Sequence, residues 1–254
     1  MKPSDTGAEL LPTEWRKNVL RTKLKLTKGM TPAGSQSKIC RIILIDDHPL
    51  VRQGLSQLLI FHPPLRMAAS AESAGEGIEL VRKHKPDLVI LDLSLPKADG
   101  LDVIKQLKSE LPKLPILIVS MHDESVYAER VLRAGARGYV MKKESSEKIL
   151  KAISTVLRGE IYVSERIKRD MLESSVSGKR RGADGSILDR MTDRELQVFQ
   201  LLGDGTTTKG VAQQLDLSVK TIETYRENLK TKLHLRTGAE LFYHAVQWSK
   251  SHPN

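Results

Sequence analysis

Residues 42–55 read IILIDDHPLVRQGL, and residues 88–101 read LVILDLSLPKADGL. In both stretches a short apolar run ends in aspartate and leads into a segment whose apolar residues have helical spacing. Such continuous apolar runs predict strands that are buried on both faces. Residues 66–71, 115–120 and 137–142 are further strand-like runs, and a helical segment follows each of them. Strands and helices that alternate in this way predict an α/β fold with a parallel sheet and right-handed crossovers.

The polar residues of this region follow the carboxyl ends of the predicted strands. They are Asp46 and Asp47 after the first strand, Asp92 after the third, Ser120 after the fourth and Lys142 after the fifth. In a parallel sheet these ends meet at one edge, and sites form there at the topological switch point. Clustered carboxylates repel one another unless a cation joins them, and Mg²⁺ prefers oxygen ligands. A carboxylate beside Mg²⁺ and a lysine is a suitable phosphoryl acceptor, which a nearby hydroxyl can assist.

Four motifs here resemble those of two-component receiver domains: IILIDDHPLVRQGL, LVILDLSLPKADGL, ILIVSMHDE and AGARGYVMKKES, across about residues 39–160. The resemblance implies a flavodoxin-like (βα)₅ fold. It implies that Asp92 is the phosphoacceptor. It further implies that Asp47 binds Mg²⁺ directly, that Asp46 binds it through water, and that the Ser94 carbonyl is another ligand.

The same resemblance implies that Lys142 pairs with the phosphate. It also implies that Ser120 and Tyr139 form a switch pair whose movement reports phosphorylation to the face made by the fourth helix, fifth strand and fifth helix. Taken alone, an aromatic residue in a strand such as Tyr139 is more often part of the core. Ser94 and His122 each stand two residues beyond a motif residue, at positions that tune phosphoryl lifetime in receivers.

Residues 191–235 predict a series of short helices. Thr192 with Glu195 three residues later is a capping box, and Gly203 and Gly205 are expected to end that first helix. A second short helix, a turn at DLS and a third helix capped by Ser218 follow. This order is typical of a helix-turn-helix, whose second helix enters the major groove by its N-terminal half.

The third helix carries side chains suited to phosphate or base edges. Together with the amphipathic helix predicted over residues 237–248, the 191–235 stretch resembles LuxR-type four-helix DNA-binding domains across about residues 189–250. A receiver joined to this module is typical of the NarL/FixJ family of response regulators. The resemblance implies that the last helix helps to dimerise the protein. Two departures are Gly210, where the family usually has an acidic residue, and Tyr225, where histidine is frequent. The predicted DNA-binding residues are Lys220, Thr221, Thr224, Tyr225, Arg226, Lys230 and Lys232.

Net charge adds little to this prediction. The 254-residue chain carries +10, but residues 1–38 alone hold eight basic and three acidic side chains, whereas residues 189–254 hold nine and eight. Residues 1–38 are interpreted as a flexible basic tail, with a short helix touching DNA or a membrane as the alternative. Met30 offers an alternative start that would omit most of this tail.

The sequence therefore predicts a tail (1–38), a receiver domain (39–163), a linker (164–188) and a DNA-binding domain (189–254). In the linker, Lys179, Arg180 and Arg181 either contact DNA phosphate or remain solvated. A single cysteine, Cys40, excludes an intramolecular disulfide. No run reaches the roughly 20 apolar residues of a membrane span, so a cytoplasmic location without a membrane partner is expected.

The leading hypothesis is a bacterial transcription factor controlled by aspartyl phosphorylation. Its expected partners are a sensor histidine kinase as phosphoryl donor, double-stranded DNA and a second copy of the chain on that DNA. One alternative is a receiver that works through protein contact with a vestigial DNA module. The other is a phosphoryl hydrolase, but the sequence holds no second catalytic constellation, so no enzyme is predicted.

Overall fold

The computed structural model describes residues 39–95, 98–176 and 191–251. They form an α/β domain with elements from Cys40 to Leu157, a connecting helix, and a helical domain with elements from Asp193 to Ser251. The interpretations of the 1–38 tail and of Lys179, Arg180 and Arg181 fall outside these residues.

The α/β domain alternates strands with helices along its whole length. Its elements are β1 (Cys40–Ile45), α1 (Pro49–Ile60), β2 (Leu65–Ala71), α2 (Ala74–His84), β3 (Leu88–Leu91), α3 (Gly100–Glu110), β4 (Ile116–Ser120), α4 (Glu124–Ala134), β5 (Gly138–Met141) and α5 (Ser146–Leu157).

All neighbouring strands pair in parallel, in the order β2-β1-β3-β4-β5. This is the flavodoxin-like order, so the predicted fold class is confirmed. The four residues of β3 and the five of β4 are all buried, because helices cover both faces of the sheet. The order of the strands reverses between β1 and β3, and these two strands end in the aspartates that the sequence singles out.

The β5 edge of the sheet is covered by the chain that follows α5. The backbone N–H of Tyr139 donates to the Tyr162 carbonyl (2.8 Å), and the Tyr162 N–H donates to the Arg137 carbonyl (3.0 Å). These bonds form an isolated parallel bridge between Gly138 and Tyr162. Two of the backbone groups that this edge strand would otherwise expose, both at its start, are thereby paired.

The helical spacing of the apolar residues in α1 predicts that Leu50, Leu55, Leu58 and Leu59 lie near one buried face. Leu55, Leu58 and Leu59 are buried as expected, but Leu50 is 67% exposed. Leu50 lies in the first turn, directly after Pro49, where the helix has just left the strand end and faces solvent.

The first half of the predicted linker is an ordered helix, α6 (Glu165–Val176). Ile167 is buried and Met171 packs against the core. The backbone N–H of Ser164 donates to Glu124 Oε1 (2.7 Å) at the start of α4. The α/β domain therefore holds this helix against α4.

The helical domain contains α7 (Asp193–Gly203), α8 (Thr208–Leu215), α9 (Val219–Leu233) and α10 (Gly238–Ser251). The side chains of Thr207 and Ser218 cap α8 and α9. Asp216 ends α8 in the left-handed conformation (φ 54°), which allows the tight turn into α9. The predicted helix-turn-helix is confirmed as α8 and α9.

Gly203 is the last residue of α7, and its role is close packing. A Cβ atom added there would lie 2.4 Å from the Ala245 carbonyl oxygen of α10. Gly205, with φ 82°, makes the turn that ends the helix. The sequence predicts a helix stop at both glycines, but only Gly205 has the stop conformation.

Gly203→Ala should destabilise the helical domain by about 1–3 kcal/mol, because α7 and α10 must move apart. Chemical denaturation of the full chain measures this change. Gly75→Ala is the matched control: its added Cβ meets no atom within 4 Å in α2, and alanine there should stabilise by about 0.5–1 kcal/mol. Equal effects of the two substitutions would contradict the packing role.

The predicted capping box at the start of α7 is present, and its buried glutamate also forms an ion pair with a partly exposed lysine. Thr192 Oγ1 accepts from the Glu195 N–H, and Glu195 Oε2 accepts from the Thr192 N–H (2.7 Å). Lys232 Nζ of α9 lies 2.5 Å from the same Glu195 oxygen. Burial alone would raise the Glu195 pKa, but Lys232 and the cap hydrogen bonds outweigh it and hold the pKa below its ordinary value.

Glu195→Gln should therefore destabilise the helical domain at neutral pH and have a decreasing effect in acid. A carboxyl with a lowered pKa in the folded state stabilises above its unfolded pKa of 4.5, and this contribution is lost as the pH falls through the folded value. Unfolding free energies of both proteins at pH 7 and at pH 3–4 measure it, with an expected difference of about 1–3 kcal/mol at pH 7. A difference that stays constant with pH would contradict the ionic role.

Candidate functional site

Three carboxylates meet at the switch point of the sheet. Asp46 and Asp47 follow β1 and Asp92 follows β3, and Asp46 and Asp92 are each only 1% exposed. One oxygen from each carboxylate and one nitrogen of His48 all lie within 4.8 Å of one another. The strands bring these groups together because β1 pairs with β3 in parallel, so that Ile45 lies beside Leu91.

Lys142 extends from the end of β5 into this cluster, where its side chain is 5% exposed. Its Nζ lies 2.6 Å from Asp92 Oδ2 and 2.8 Å from Asp46 Oδ2. The Lys142 N–H also donates to the Ser120 carbonyl (2.8 Å), which fixes the backbone from which the side chain extends. One ammonium thus balances part of the charge of three carboxylates.

The protonation of Asp46 reflects this crowding. Burial raises the Asp46 pKa above its ordinary value. The Lys142 hydrogen bond lowers this pKa, the Asp92 charge raises it, and the net change is upward. A further cation at the carboxylates would therefore favour the ionised form.

His48 is a member of the cluster that the sequence interpretation missed. Its Nδ1 lies 2.7 Å from Asp47 Oδ1, 3.3 Å from Asp46 Oδ1 and 3.4 Å from Lys142 Nζ. Its backbone N–H donates to Asp46 Oδ1 (2.9 Å), which orients that carboxylate. The only sequence signal for this role is its place directly after the two aspartates.

The donor set fits a hard divalent cation. Asp92 Oδ1 is buried and has no hydrogen-bond partner in the described part of the chain. Carboxylate oxygens from Asp46, Asp47 and Asp92 are ligands of the type that Mg²⁺ prefers. Ser94 follows two residues after Asp92, and its exposed side chain bonds elsewhere, through Oγ to His122 Nε2 (2.9 Å).

The predicted switch pair lies beside the cluster. Ser120 is fully buried, and its Oγ accepts from the His122 N–H (3.4 Å). Tyr139 is also fully buried, and its hydroxyl donates to the His122 carbonyl (2.8 Å). Burial raises the pKa of Tyr139 well above its ordinary value, so that it remains a donor. Both residues thus contact the backbone of His122.

In the helical domain, α9 presents one face to solvent. Ile222 and Leu229 are buried, and the side opposite them carries the exposed residues Lys220, Thr224 and Thr231. The Thr221 hydroxyl lies 2.7 Å from the Ser218 hydroxyl at the cap. The outward face of α9 therefore begins with one lysine and several hydroxyl groups.

The other residues predicted to touch DNA have partners within the domain. Tyr225 is half-buried against the core, and Arg226 Nη1 donates to Thr208 Oγ1 at the start of α8. Lys230 pairs with Glu227 at 2.8 Å, and Lys232 pairs with buried Glu195. Lys232 is thus directed toward α7, away from the face that carries Lys220 and Thr224.

Among the described residues, no helix is both long and apolar enough to span a bilayer.

Two family models match the chain. The response regulator receiver domain matches residues 42–154, and the bacterial regulatory proteins of the luxR family match residues 189–245.

Relatives match across both parts. The oxygen regulatory protein NreC of Staphylococcus haemolyticus is 36% identical over 211 residues, which cover 82% of this chain and 97% of that protein. Among solved structures, RcsB from Salmonella enterica serovar Typhimurium was solved bound to promoter P1flhDC in the presence of phosphomimetic BeF₃⁻. It is 25% identical to this chain, with a TM-score of 0.58, and the match covers 81% of this chain and 98% of that one. A chain from a structure of two RcsB dimers bound to two parallel DNAs is also 25% identical, with a TM-score of 0.50. That match covers 81% of this chain and 97% of the RcsB chain. The chain belongs to the two-component response regulators that join a receiver domain to a LuxR-type DNA-binding domain and control transcription.

Proposed function

We propose that Asp92 accepts a phosphoryl group from a sensor histidine kinase and that this modification controls binding of the helical domain to DNA. The observation that carries the proposal is the buried Asp92 carboxylate, with Lys142 at 2.6 Å and one oxygen left without a hydrogen-bond partner. A buried carboxylate held by a single ammonium is oriented for attack and shielded from bulk water.

The pocket residues would act mainly by position and charge. Lys142, which already contacts Asp92 and Asp46, would pair with the oxygens of the transferred group. Asp46, Asp47 and Asp92 would hold Mg²⁺, with the Ser94 carbonyl as a further ligand. When bound, Mg²⁺ supplies positive charge that lowers the repulsion between the carboxylates and the incoming phosphoryl oxygens. Ser120 would then hydrogen-bond the phosphoryl group, and Tyr139 would follow its movement.

The helical domain is proposed to place the N-terminal half of α9 in the major groove of double-stranded DNA. Lys220 and Thr224 on the exposed face support this orientation, together with Thr221 at the cap. Tyr225 and Arg226 would support the helix from its flanks, and Lys230 stays a predicted phosphate contact. Lys232 is better assigned to the ion pair with Glu195 than to DNA.

A homodimer on DNA is part of the proposal. RcsB dimers bound to DNA support it, since RcsB covers most of this chain with the same fold. Phe242 and Tyr243 are exposed large side chains on α10, the helix that the family resemblance assigns to dimerisation.

The proposed domain boundaries stay 39–163 for the receiver domain, 164–188 for the linker and 189–254 for the DNA-binding domain. The first half of the linker is helical. Because the proposed DNA partner lies in the bacterial cytoplasm, that location stays a prediction. No enzymatic turnover is proposed.

Mg²⁺ should stabilise the α/β domain through the carboxylate cluster, by about 2.7 kcal/mol at one hundred times its dissociation constant. Asp47→Asn should raise the melting temperature without metal, because one repelling charge is removed, and should lose most of the Mg²⁺ shift. Thermal melts with EDTA and with MgCl₂ measure both effects. Asp102→Asn, which removes an exposed carboxylate of α3, should keep the full shift. An undiminished shift in Asp47→Asn would refute the assignment.

DNA binding should depend on the state of Asp92. The probe is a duplex selected from a random library by the protein treated with beryllium fluoride and Mg²⁺. Its affinity should fall when beryllium fluoride is omitted, and Asp92→Asn should show no response to beryllium fluoride. Fluorescence anisotropy measures both, and equal affinity with and without beryllium fluoride would remove phosphorylation control from the proposal.

Lys220→Ala should weaken binding to the same duplex and lower the salt slope, the change of log affinity with log salt, by about 1, because one phosphate contact is lost. Lys250→Ala is the matched control, since Lys250 is an exposed lysine at the end of α10. Equal slopes for the two variants would contradict the orientation of α9.

A further inference from the structure

The helical domain is attached to the α/β domain by ion pairs at the start of α7. Arg130 of α4 places Nη1 2.8 Å from Asp193 Oδ1, and its Nη2 donates to the Met191 carbonyl (3.1 Å). Lys105 of α3 lies 3.1 Å from Asp193 Oδ2. Two cations of one domain thus converge on one carboxylate of the other.

Further along α7, the two domains share a buried hydrogen bond. The Tyr127 hydroxyl of α4 donates to Gln200 Oε1 (2.5 Å), and these residues are 2% and 6% exposed. Burial raises the pKa of Tyr127 and keeps its hydroxyl protonated. If this hydrogen bond breaks while the two side chains stay buried, a donor and an acceptor are left unpaired, which costs free energy. We call this hydrogen bond the latch.

His122 connects the latch to the phosphoacceptor pocket. Its ring stacks on Tyr127, with centroids 4.8 Å apart and planes at 29°. Its Nε2 lies 2.9 Å from Ser94 Oγ, two residues beyond Asp92. Its backbone N–H donates to Ser120 Oγ (3.4 Å), so both ends of the residue are tied to groups near Asp92.

From these contacts we infer that His122 transmits the state of Asp92 to the Tyr127–Gln200 latch. The inference rests on the proposed function and adds the contact that it regulates. A phosphoryl group on Asp92 accepts a hydrogen bond from the Ser120 hydroxyl and draws its oxygen away from the His122 N–H, and it displaces the segment that carries Ser94. His122 then loses two of its partners and shifts, and Tyr127 shifts with it.

Release of the latch changes the position of the helical domain and leaves its fold intact. The exposed face of α9 does not include the latch, since Gln200 lies on α7. In the latched state the helical domain is held on α3 and α4 of its own chain. Two copies must place two such domains on neighbouring DNA half-sites, which requires freedom from that position.

Tyr127→Phe tests the latch, because it removes one hydroxyl and keeps the ring that stacks on His122. The interdomain distance distribution is measured by double electron–electron resonance. Spin labels are attached to Lys83→Cys and Gln247→Cys in a Cys40→Ser chain, and both labelled positions are exposed. Tyr162→Phe is the matched control, a half-buried tyrosine of the same domain that lies beside β5.

The unmodified parent protein and Tyr162→Phe should give one narrow distribution. Tyr127→Phe should broaden it without any phosphoryl analogue, with the narrow population falling by roughly half or more. Tyr127→Phe should also bind the selected duplex about 5-fold more tightly than the parent in the unmodified state. A narrow distribution and parental affinity in Tyr127→Phe would overturn the latch.

His122→Leu tests the connection to Asp92, because leucine keeps apolar contact with Tyr127 but cannot bond to Ser94. Beryllium fluoride with Mg²⁺ should broaden the distribution in the parent and leave it narrow in His122→Leu. Equal broadening in both would exclude the His122 ring, which is the contact with Tyr127, and would overturn this connection. The ¹⁹F signal of bound beryllium fluoride shows whether the pocket is loaded. A parent that never loads refutes the phosphoacceptor proposal, while the Tyr127→Phe result still decides the latch.

Discussion

Carboxylates that are buried close together repel one another, and the α/β domain concentrates this repulsion at Asp46, Asp47 and Asp92. Lys142 is the cation within 3 Å of two of them, and without it Asp46 and Asp92 would be buried charges with little compensation. The cluster is therefore a site of stored electrostatic energy in the fold. Because the energy depends on how much positive charge is present, cation binding or covalent modification can change the conformation around it. Ser94, Ser120 and His122 lie at the same ends of β3 and β4 and are hydrogen-bonded to one another, so they are in position to follow such a change.

The parts of this molecule that depend on local pattern could be predicted from the sequence. The apolar runs ending in Asp46 and Asp92 predict buried parallel strands, and parallel pairing then places those residues at one edge. The capping box of Thr192 and Glu195 likewise specifies the start of α7 within four residues. In each case the physical cause acts over a short stretch or through a general property of parallel sheets.

The parts that depend on contact between distant segments could not be predicted. Tyr127 and Gln200 are 73 positions apart, and helical spacing says only that each lies near an apolar face. Lys232 has the composition of a phosphate contact, but the fold places it beside Glu195. Gly203 has the signature of a helix stop, whereas its lack of a side chain serves the approach of α10. Propensity and periodicity carry no information about which element will pack against which.

The bridge between Tyr162 and β5 has a consequence for how copies of this protein meet. With two backbone groups at its start already paired to Tyr162, the β5 edge offers a second molecule less than its full length for strand addition. Strand addition would join two copies through many backbone bonds at once and would be slow to reverse. The shortened edge favours association through helix surfaces on this side of the domain, where a few side-chain contacts decide the outcome. An assembly made from such contacts can associate and dissociate at rates that keep up with changes in the signal that controls it.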